Sequence, residues 1–380
     1  MTAHALTNTI AAEDGAADPS PLAIGPWLAA DPYGMTAAEK DAALSAVLRA
    51  LTQHHRAACP DYARILDLLG TGETEMKHLA DVPFLPVRLF KAFDLLSVPR
   101  DEVFKTMTSS GTSGQSVSRI YLDRETAALQ GKVLARLMGD LLGPKRLPML
   151  VIDSPAVLRD RNAFSARGAG ILGFSLFGKD VTYALDDEMR LNLPAIEAFL
   201  ARHAGERIFL FGFTFMIWQH FHRALEASGI RLPIDDGILL HGGGWKKLQD
   251  EAVDNAEFRA ALGRSTGISR VVNYYGMVEQ TGSIFLECEH GHLHAPIQAE
   301  VIIRDPLTFR CMEVGETGLI EVLSLLPRSY PGHALLTEDL GRIEGVDDCP
   351  CGRHGTYFSV AGRIAKAEVR GCSDTYEARS

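Results

Sequence analysis

Seven consecutive residues, Thr108-Ser-Ser-Gly-Thr-Ser-Gly114, combine five hydroxyl side chains with two glycines. Glycine lets backbone amides turn inward around an anion, and hydroxyls add donors, so this composition suits a phosphate group. Residues 103–107 before it and 117–122 after it both read as strands, so a plain Ser/Gly hairpin loop fits the same residues. A Walker loop does not, because the Gly-Lys-Ser/Thr ending is missing and no helix follows. A second chemistry is metal binding. Cys288-Glu-His290-Gly-His292-Leu-His294 and Cys349-Pro-Cys351 together supply enough sulfur and nitrogen donors for a closed tetrahedral zinc site. Cys288, His294, Cys349 and Cys351 are the expected ligands. His290 and His292 are alternatives for the histidine, and the competing reading is surface histidines beside reduced thiols. Four protein ligands leave no open position, so the Zn2+ would be structural.

These residues need elements to hold them. Thr36-Ala-Ala-Glu39 is a capping box, and Leu44, Val47, Leu48 and Leu51 recur behind it at helical spacing. A second amphipathic helix follows Asp123, with Leu129, Val133, Leu137 and Leu141 on one side. Strand-length apolar runs at 149–152, 208–211, 238–240 and 271–274 alternate with helical patterns near 191–203, 214–227 and 250–262. That alternation predicts an α/β fold. After residue 297 the pattern turns to strands, at 299–303 and 319–325. The expected organisation is a mobile tail over 1–20, an α/β core over 21–297, a β-rich part over 298–360 and a short tail over 361–380. Order is expected to begin near Pro32. Phe209, Phe211, Phe213, Phe215 and Trp218 read as core more than as substrate contacts, and Cys59 and Cys311 as small apolar residues in or near the core.

The chain has 380 residues, 46% hydrophobic and 23% charged, with a net charge of −10. That composition fits a soluble globular protein with a substantial core. The acidic balance gives no sign of a nucleic-acid footprint and weighs against a basic membrane patch. There is no apolar run long enough for a spanning helix and no basic, apolar N-terminal signal, so a cytoplasmic enzyme is expected. Six cysteines in such a chain read as thiols or metal ligands.

The phosphate loop has company downstream. Residues Thr108, Ser109, Ser110, Gly111, Thr112, Ser113 and Gly114 resemble the phosphate loop of the acyl-adenylating superfamily. Tyr274-Tyr275-Gly276-Met277-Val278-Glu279 resembles its Tyr-Gly-x-Thr-Glu segment. Thr337-Glu338-Asp339-Leu340-Gly341 resembles its Thr-Gly-Asp segment, and Gly362-Arg363 its Gly-Arg pair. His241-Gly-Gly-Gly-Trp245 sits where the superfamily has a glycine-rich, adenine-contacting turn. The resemblance implies ATP and Mg2+ as cofactors. It puts Tyr275, Gly276, Gly243 and Gly244 near adenine, Glu279 on magnesium, Asp339 on the ribose and Arg363 on the nucleotide. His241 would act as a base, orient the carboxylate or serve as a structural hydrogen-bonding residue. The residue types suit the reaction, since a carboxylate attacking a phosphate needs cations and fixed donors to offset like charge.

The match departs from the superfamily in two ways. Gln115 stands where many relatives carry Lys at or soon after this point, and the chain ends soon after Gly362-Arg363, where relatives continue into a mobile domain bearing a catalytic lysine. Ile364-Ala365-Lys366 replaces the hinge aspartate, with Lys366 as a substitute cation. The ending Glu368-Val-Arg-Gly-Cys-Ser-Asp374 resembles the LuxE acyl-protein synthetases. So do Pro32-Tyr33, Leu51-Thr52-Gln53-His54-His55, Phe84-Leu-Pro-Val-Arg-Leu-Phe-Lys91 and Gly243-Gly-Trp-Lys246. In that family a cysteine near the C-terminus takes the acyl group from the adenylate and passes it to a partner reductase; Cys372 matches it. A thiolate is a good nucleophile for an acyl adenylate, and Lys366 and Arg370 would lower its pKa. The expected function is therefore ATP-dependent activation of a carboxylic acid, a long-chain fatty acid by resemblance. Transfer to Cys372 and then to an acyl reductase or other acceptor follows. An acid–CoA or acid–carrier-protein ligase, or a non-catalytic subunit of a reductase complex, is the alternative.

Overall fold

Apolar residues on both faces of successive strands build the centre of the fold. The structure is a computed structural model describing residues 22–71, 75–109, 117–158, 166–245 and 251–364. The predicted site residues Ser110, Gly111, Thr112, Ser113, Gly114 and Cys372 lie outside the described residues, as does Lys366. The first strands are β1 (Leu85–Pro86), β2 (Lys105–Thr108), β3 (Arg119–Leu122), β4 (Leu147–Val151), β5 (Gly178–Tyr183), β6 (Ile208–Phe213) and β7 (Gly237–Gly242). They are followed by β8 (Arg270–Tyr275), β9 (Phe285–Glu287), β10 (Leu293–His294), β11 (Ala299–Arg304), β12 (Thr317–Ser324), β13 (Ala334–Val346) and β14 (Thr356–Arg363).

Twelve strands form one sheet, in the order β11-β12-β13-β14-β10-β9-β8-β7-β6-β4-β5, with β1 added parallel beside the start of β13. The run from β5 through β4, β6 and β7 to β8 is parallel, and every pairing from β8 to β11 is antiparallel. Parallel strands are covered on both faces. Met149, Val151, Phe209, Phe211, Ile238, Leu240 and Val272 pack with the helices Ala37–Ala58, Arg124–Leu142 and Ala166–Ser175. Leu150, Leu210, Leu239 and Val271 pack on the other side with Leu193–Arg202, the helical segment 214–228 and Asn255–Thr266. β2 and β3 form a separate two-stranded hairpin.

Local signals fix the helix starts. Thr36 and Glu39 close the capping box at Ala37–Ala58, and the Asp123 side chain caps Arg124–Leu142. The structure departs from expectation at three points. Helix begins at Gly25–Ala29, ahead of Pro32, because Trp27 reaches the core and anchors it. The helix expected from 250 starts at Asn255, where the Asp254 side chain accepts from Glu257 N. Cys311 is exposed, held beside the Arg304 guanidinium at 3.7 Å, whereas Cys59 is buried as expected. No helix among the described residues is long and apolar enough to cross a membrane.

Candidate nucleotide and metal sites

In-register pairing ends β6, β7 and β8 side by side: Phe213 lies opposite Gly242, and Gly242 opposite Tyr274. Ligands of open α/β sheets sit beyond such carboxyl ends. The chain leaves β7 through Gly243 at φ +77°, a left-handed conformation that suits glycine, while Gly244 faces open space. It leaves β8 through Gly276 into the short turn Val278–Gln280, which carries Glu279.

Three of the predicted residues form one hydrogen-bonded chain. Tyr275 Oη donates to Asp339 Oδ2 at 2.8 Å, and Arg363 Nε donates to Asp339 Oδ1 at 3.2 Å. The antiparallel register sets Asp339 of β13 opposite Arg363 of β14, so strand pairing itself makes the contact. Thr337 steadies the bend by accepting from Asp339 N at 3.1 Å and donating to Ile320 O at 2.8 Å. Burial, followed by the neighbouring Asp339 carboxylate, holds the Tyr275 phenol well above its usual range, so it stays a donor.

Glu279 is only 6% exposed. Its turn is fixed by Tyr330 Oη donating to Glu279 O at 2.8 Å and by Gln280 Nε2 donating to Val322 O and Gly332 O. Burial raises the Glu279 carboxyl, while Ser118, its own backbone amide, Lys91 and Arg363 pull it back toward ionisation. It makes no ion pair among the described residues. A buried carboxylate of this kind fits a hard divalent cation such as magnesium. Thr108 ends β2 opposite Arg119, and Ser109 closes the neck of the hairpin: Ser118 N donates to Ser109 Oγ at 2.9 Å, and Ser109 N to Ser118 O at 3.2 Å. The fully buried Ser118 thereby sits between the base of the predicted phosphate loop and Glu279, its Oγ without a hydrogen-bond partner among the described residues.

Sequence reasoning did not single out Ser118. The signal was its place across the hairpin neck from Ser109. Glu338 was also passed over; it binds Arg88 through Nε at 3.2 Å and through the terminal guanidinium nitrogen at 2.7 Å.

His241 lies beneath the glycine turn. Thr214 Oγ1 donates to Gly242 O at 3.2 Å, so its contact with His241 Nδ1 at 3.0 Å is met by an Nδ1–H donor. That leaves Nε2 as a bare acceptor without a partner, packed near Phe258. Burial, with Arg259 adding to it, pushes the imidazole down to about 3. A bare acceptor cannot donate to a substrate carboxylate, and an imidazole held that low takes up a proton poorly, so the arrangement favours the structural reading of this histidine over the orienting and the base roles.

The two cysteine clusters meet. Cys288 follows β9, His294 lies in β10, and Cys349 and Cys351 occupy the turn between β13 and β14. One donor atom from each lies within 4.8 Å of all the others. Cys288 Sγ and Cys349 Sγ are 3.9 Å apart, and Cys351 Sγ is 3.4 Å from His294 Nε2. Zinc bonds of about 2.3 Å to sulfur and 2.0 Å to nitrogen set tetrahedral neighbours about 3.5–3.8 Å apart. Burial pushes the Cys349 thiol up to about 12 and the His294 imidazole down to about 3; a bound cation would deprotonate the first and use the neutral form of the second. The donor set fits zinc. Of the alternatives, His292 Nδ1 approaches Cys349 Sγ at 3.4 Å, while His290 is exposed.

The long-chain-fatty-acid–luciferin-component ligase of Vibrio harveyi is 25% identical over 335 residues, covering 87% of this chain and 86% of that protein. The ligase of the same name from Aliivibrio fischeri is 23% identical and covers 77% of each. Among solved structures, an open conformation of 2-hydroxyisobutyryl-CoA ligase with 2-HIB-AMP and CoA aligns with a TM-score of 0.65 at 18% identity, over 87% of this chain and 76% of that one. This last likeness identifies the fold as that of adenylate-forming ligases. The family model described as acyl-protein synthetase, LuxE, matches residues 25–379, and the chain therefore belongs to the LuxE acyl-protein synthetase family.

Proposed function

We propose that this chain activates a long-chain fatty acid with ATP as the acyl adenylate, captures the acyl group on Cys372, and passes it to an acyl reductase or another acceptor protein. The observation that carries the reading is the convergence of Tyr275, Asp339 and Arg363 at the end of the sheet that also holds Glu279 and the hairpin neck, in a LuxE-family chain. Long-chain fatty acid is the substrate named for the Vibrio harveyi relative.

In the first step a carboxylate oxygen forms a bond to the α-phosphorus as the bond to the bridging oxygen breaks and pyrophosphate leaves. Asp339 would accept from the ribose hydroxyls, and Arg363 and the hairpin loop would steady the phosphates. Glu279 would hold magnesium, which supplies charge neutralisation along the phosphate chain. In the second step the Cys372 thiolate forms a C–S bond at the acyl carbon as the C–O bond to AMP breaks. Cys288, His294, Cys349 and Cys351 would hold zinc with no open position, tying β9 and β10 to the turn between β13 and β14. On this reading residues 21–297 form the adenylating core, 298–360 the β-rich part with the ribose and zinc segments, and 361–380 bring Arg363 and the acceptor Cys372, with the whole in the cytoplasm.

The test is incubation with ATP, magnesium and a panel of radiolabelled acids. The proposal expects label on the denatured protein, released by neutral hydroxylamine and lost in Cys372→Ser. Full labelling of that variant removes Cys372 from the reaction. Undiminished acyl transfer to coenzyme A by the same variant points to an acid–CoA ligase instead.

A further inference from the structure

The segment resembling Thr-Gly-Asp reads Thr337-Glu338-Asp339 in this chain, with a carboxylate where the motif has glycine. That carboxylate is put to use. The segment 85–92 docks on β13 through the parallel pairing of Leu85 with Leu335 and Pro86 with Leu336, extended by Val87 N donating to Leu336 O at 2.9 Å. Arg88 then grips Glu338 with two contacts, at 2.7 and 3.2 Å. The chain next turns into the short helix Leu89–Ala92. Positions three apart share a helix face, so Lys91 follows Arg88 toward the same surface.

Lys91 is exposed and makes no direct ion pair among the described residues. Its helix starts directly after Arg88, whose partner Glu338 adjoins Asp339, and its positive charge favours the ionised forms of Glu338 and Glu279. Gln115 follows the phosphate loop where a cation would otherwise meet the phosphates. The site therefore holds an unspent positive charge on a short, doubly anchored segment.

We infer that Lys91 contacts the phosphate chain of ATP and offsets charge as the carboxylate–phosphorus bond forms and pyrophosphate leaves, with the Arg88–Glu338 pair acting as the latch that positions it. The inference rests on the function proposed above. Lys91 is a catalytic residue in this account; Arg88 and Glu338 are positioning residues.

The experiment is acid-dependent ATP–pyrophosphate exchange on the full chain, with tetradecanoate as the acid, alongside direct titration of Mg·ATP binding. Losing one preorganised donor to a developing charge lowers kcat by about 100-fold or more, and Lys91→Met should do so. Lys91→Arg should recover at least about tenfold of that loss. Glu338→Gly and Arg88→Met should each lower kcat by about tenfold and add nothing further in a Lys91→Met background, since all three act through one group. A merely structural role would move melting temperature and leave this non-additivity absent. Lys91→Met with kcat within about threefold of the wild type overturns the inference and leaves the proposed function standing. A folded wild type that exchanges pyrophosphate with no acid overturns both.

Discussion

Replacing His333 with glutamine should take one proton out of the acid sensitivity of the fold. His55 and His333 stack at 5.0 Å beneath the entry to β13, the strand that delivers Thr337 and Asp339. His55 Nδ1 meets Ser97 Oγ at 2.7 Å and its Nε2 meets Pro327 O at 3.2 Å; His333 Nε2 meets Thr52 Oγ1 at 2.9 Å. Burial, with His54 adding to it, pushes His333 down to about 3, and burial followed by His333 holds His55 well below the usual range. Between about pH 6.5 and 3 the unfolded imidazole therefore binds a proton that the folded one refuses, so stability is full above that window and falls as pH drops through it. The slope is about 1.4 kcal/mol per pH unit for each imidazole, which integrates to about 2 kcal/mol at pH 5. Buried carboxyls with raised values, such as Glu321 at about 7, work in the opposite direction, because the folded state then holds the extra proton. Only the difference between wild type and variant isolates the histidine. Urea unfolding at about pH 7.5 and 5.0 should show the wild type losing about 2 kcal/mol more than His333→Gln across that interval. A difference between the two proteins that does not change with pH would refute the assignment of His333 as a buried neutral base.

Two further outcomes follow from the sites themselves. Asp339→Asn keeps an acceptor for Tyr275 but loses the charge, so it should raise the KM for ATP by about tenfold to a hundredfold, the worth of one charge-assisted hydrogen bond, with little change in melting temperature; an unchanged KM would take Asp339 out of nucleotide binding. Elemental analysis should find about one zinc per chain, falling below about half in Cys349→Ser with a lower melting temperature; the same metal content in both proteins would contradict the four-ligand site.

The elements that could be read from the sequence are those whose burial is periodic. Leu44, Val47, Leu48 and Leu51 all face the core, and the alternating apolar runs of β4, β6, β7 and β8 were visible because both of their faces are covered. β13 was not visible as a strand. Glu338, Asp339, Gly341, Arg342 and Glu344 interrupt its apolar run, since that half of the strand presents polar groups at the nucleotide end and exchanges hydrogen bonds with β12 and β14 instead of filling a core. The helical reading of 214–227 held in outline, but six residues, Ile217–His222, wind as a π-helix that no local spacing announces. The two cysteine clusters could be paired on paper because each supplies two donors at short spacing. Strand alternation alone could not separate His292 from His294, because residues two apart share a face and both rings lie against Tyr357; the distances to the sulfurs were needed. Arg88, Lys91 and Glu338 could not have been joined by spacing at all, because a tertiary strand pairing 250 positions apart brings them together.

The central claim is that the cradle around Glu279 and Asp339 activates a carboxylic acid by adenylation. Acid-dependent exchange of labelled pyrophosphate into ATP reads that step alone, before any transfer to Cys372. The account predicts exchange that requires magnesium and a long-chain fatty acid and is lost in Glu279→Gln while the variant stays folded. Folded wild-type protein that binds Mg·ATP yet shows no exchange with any acid in the panel would contradict it.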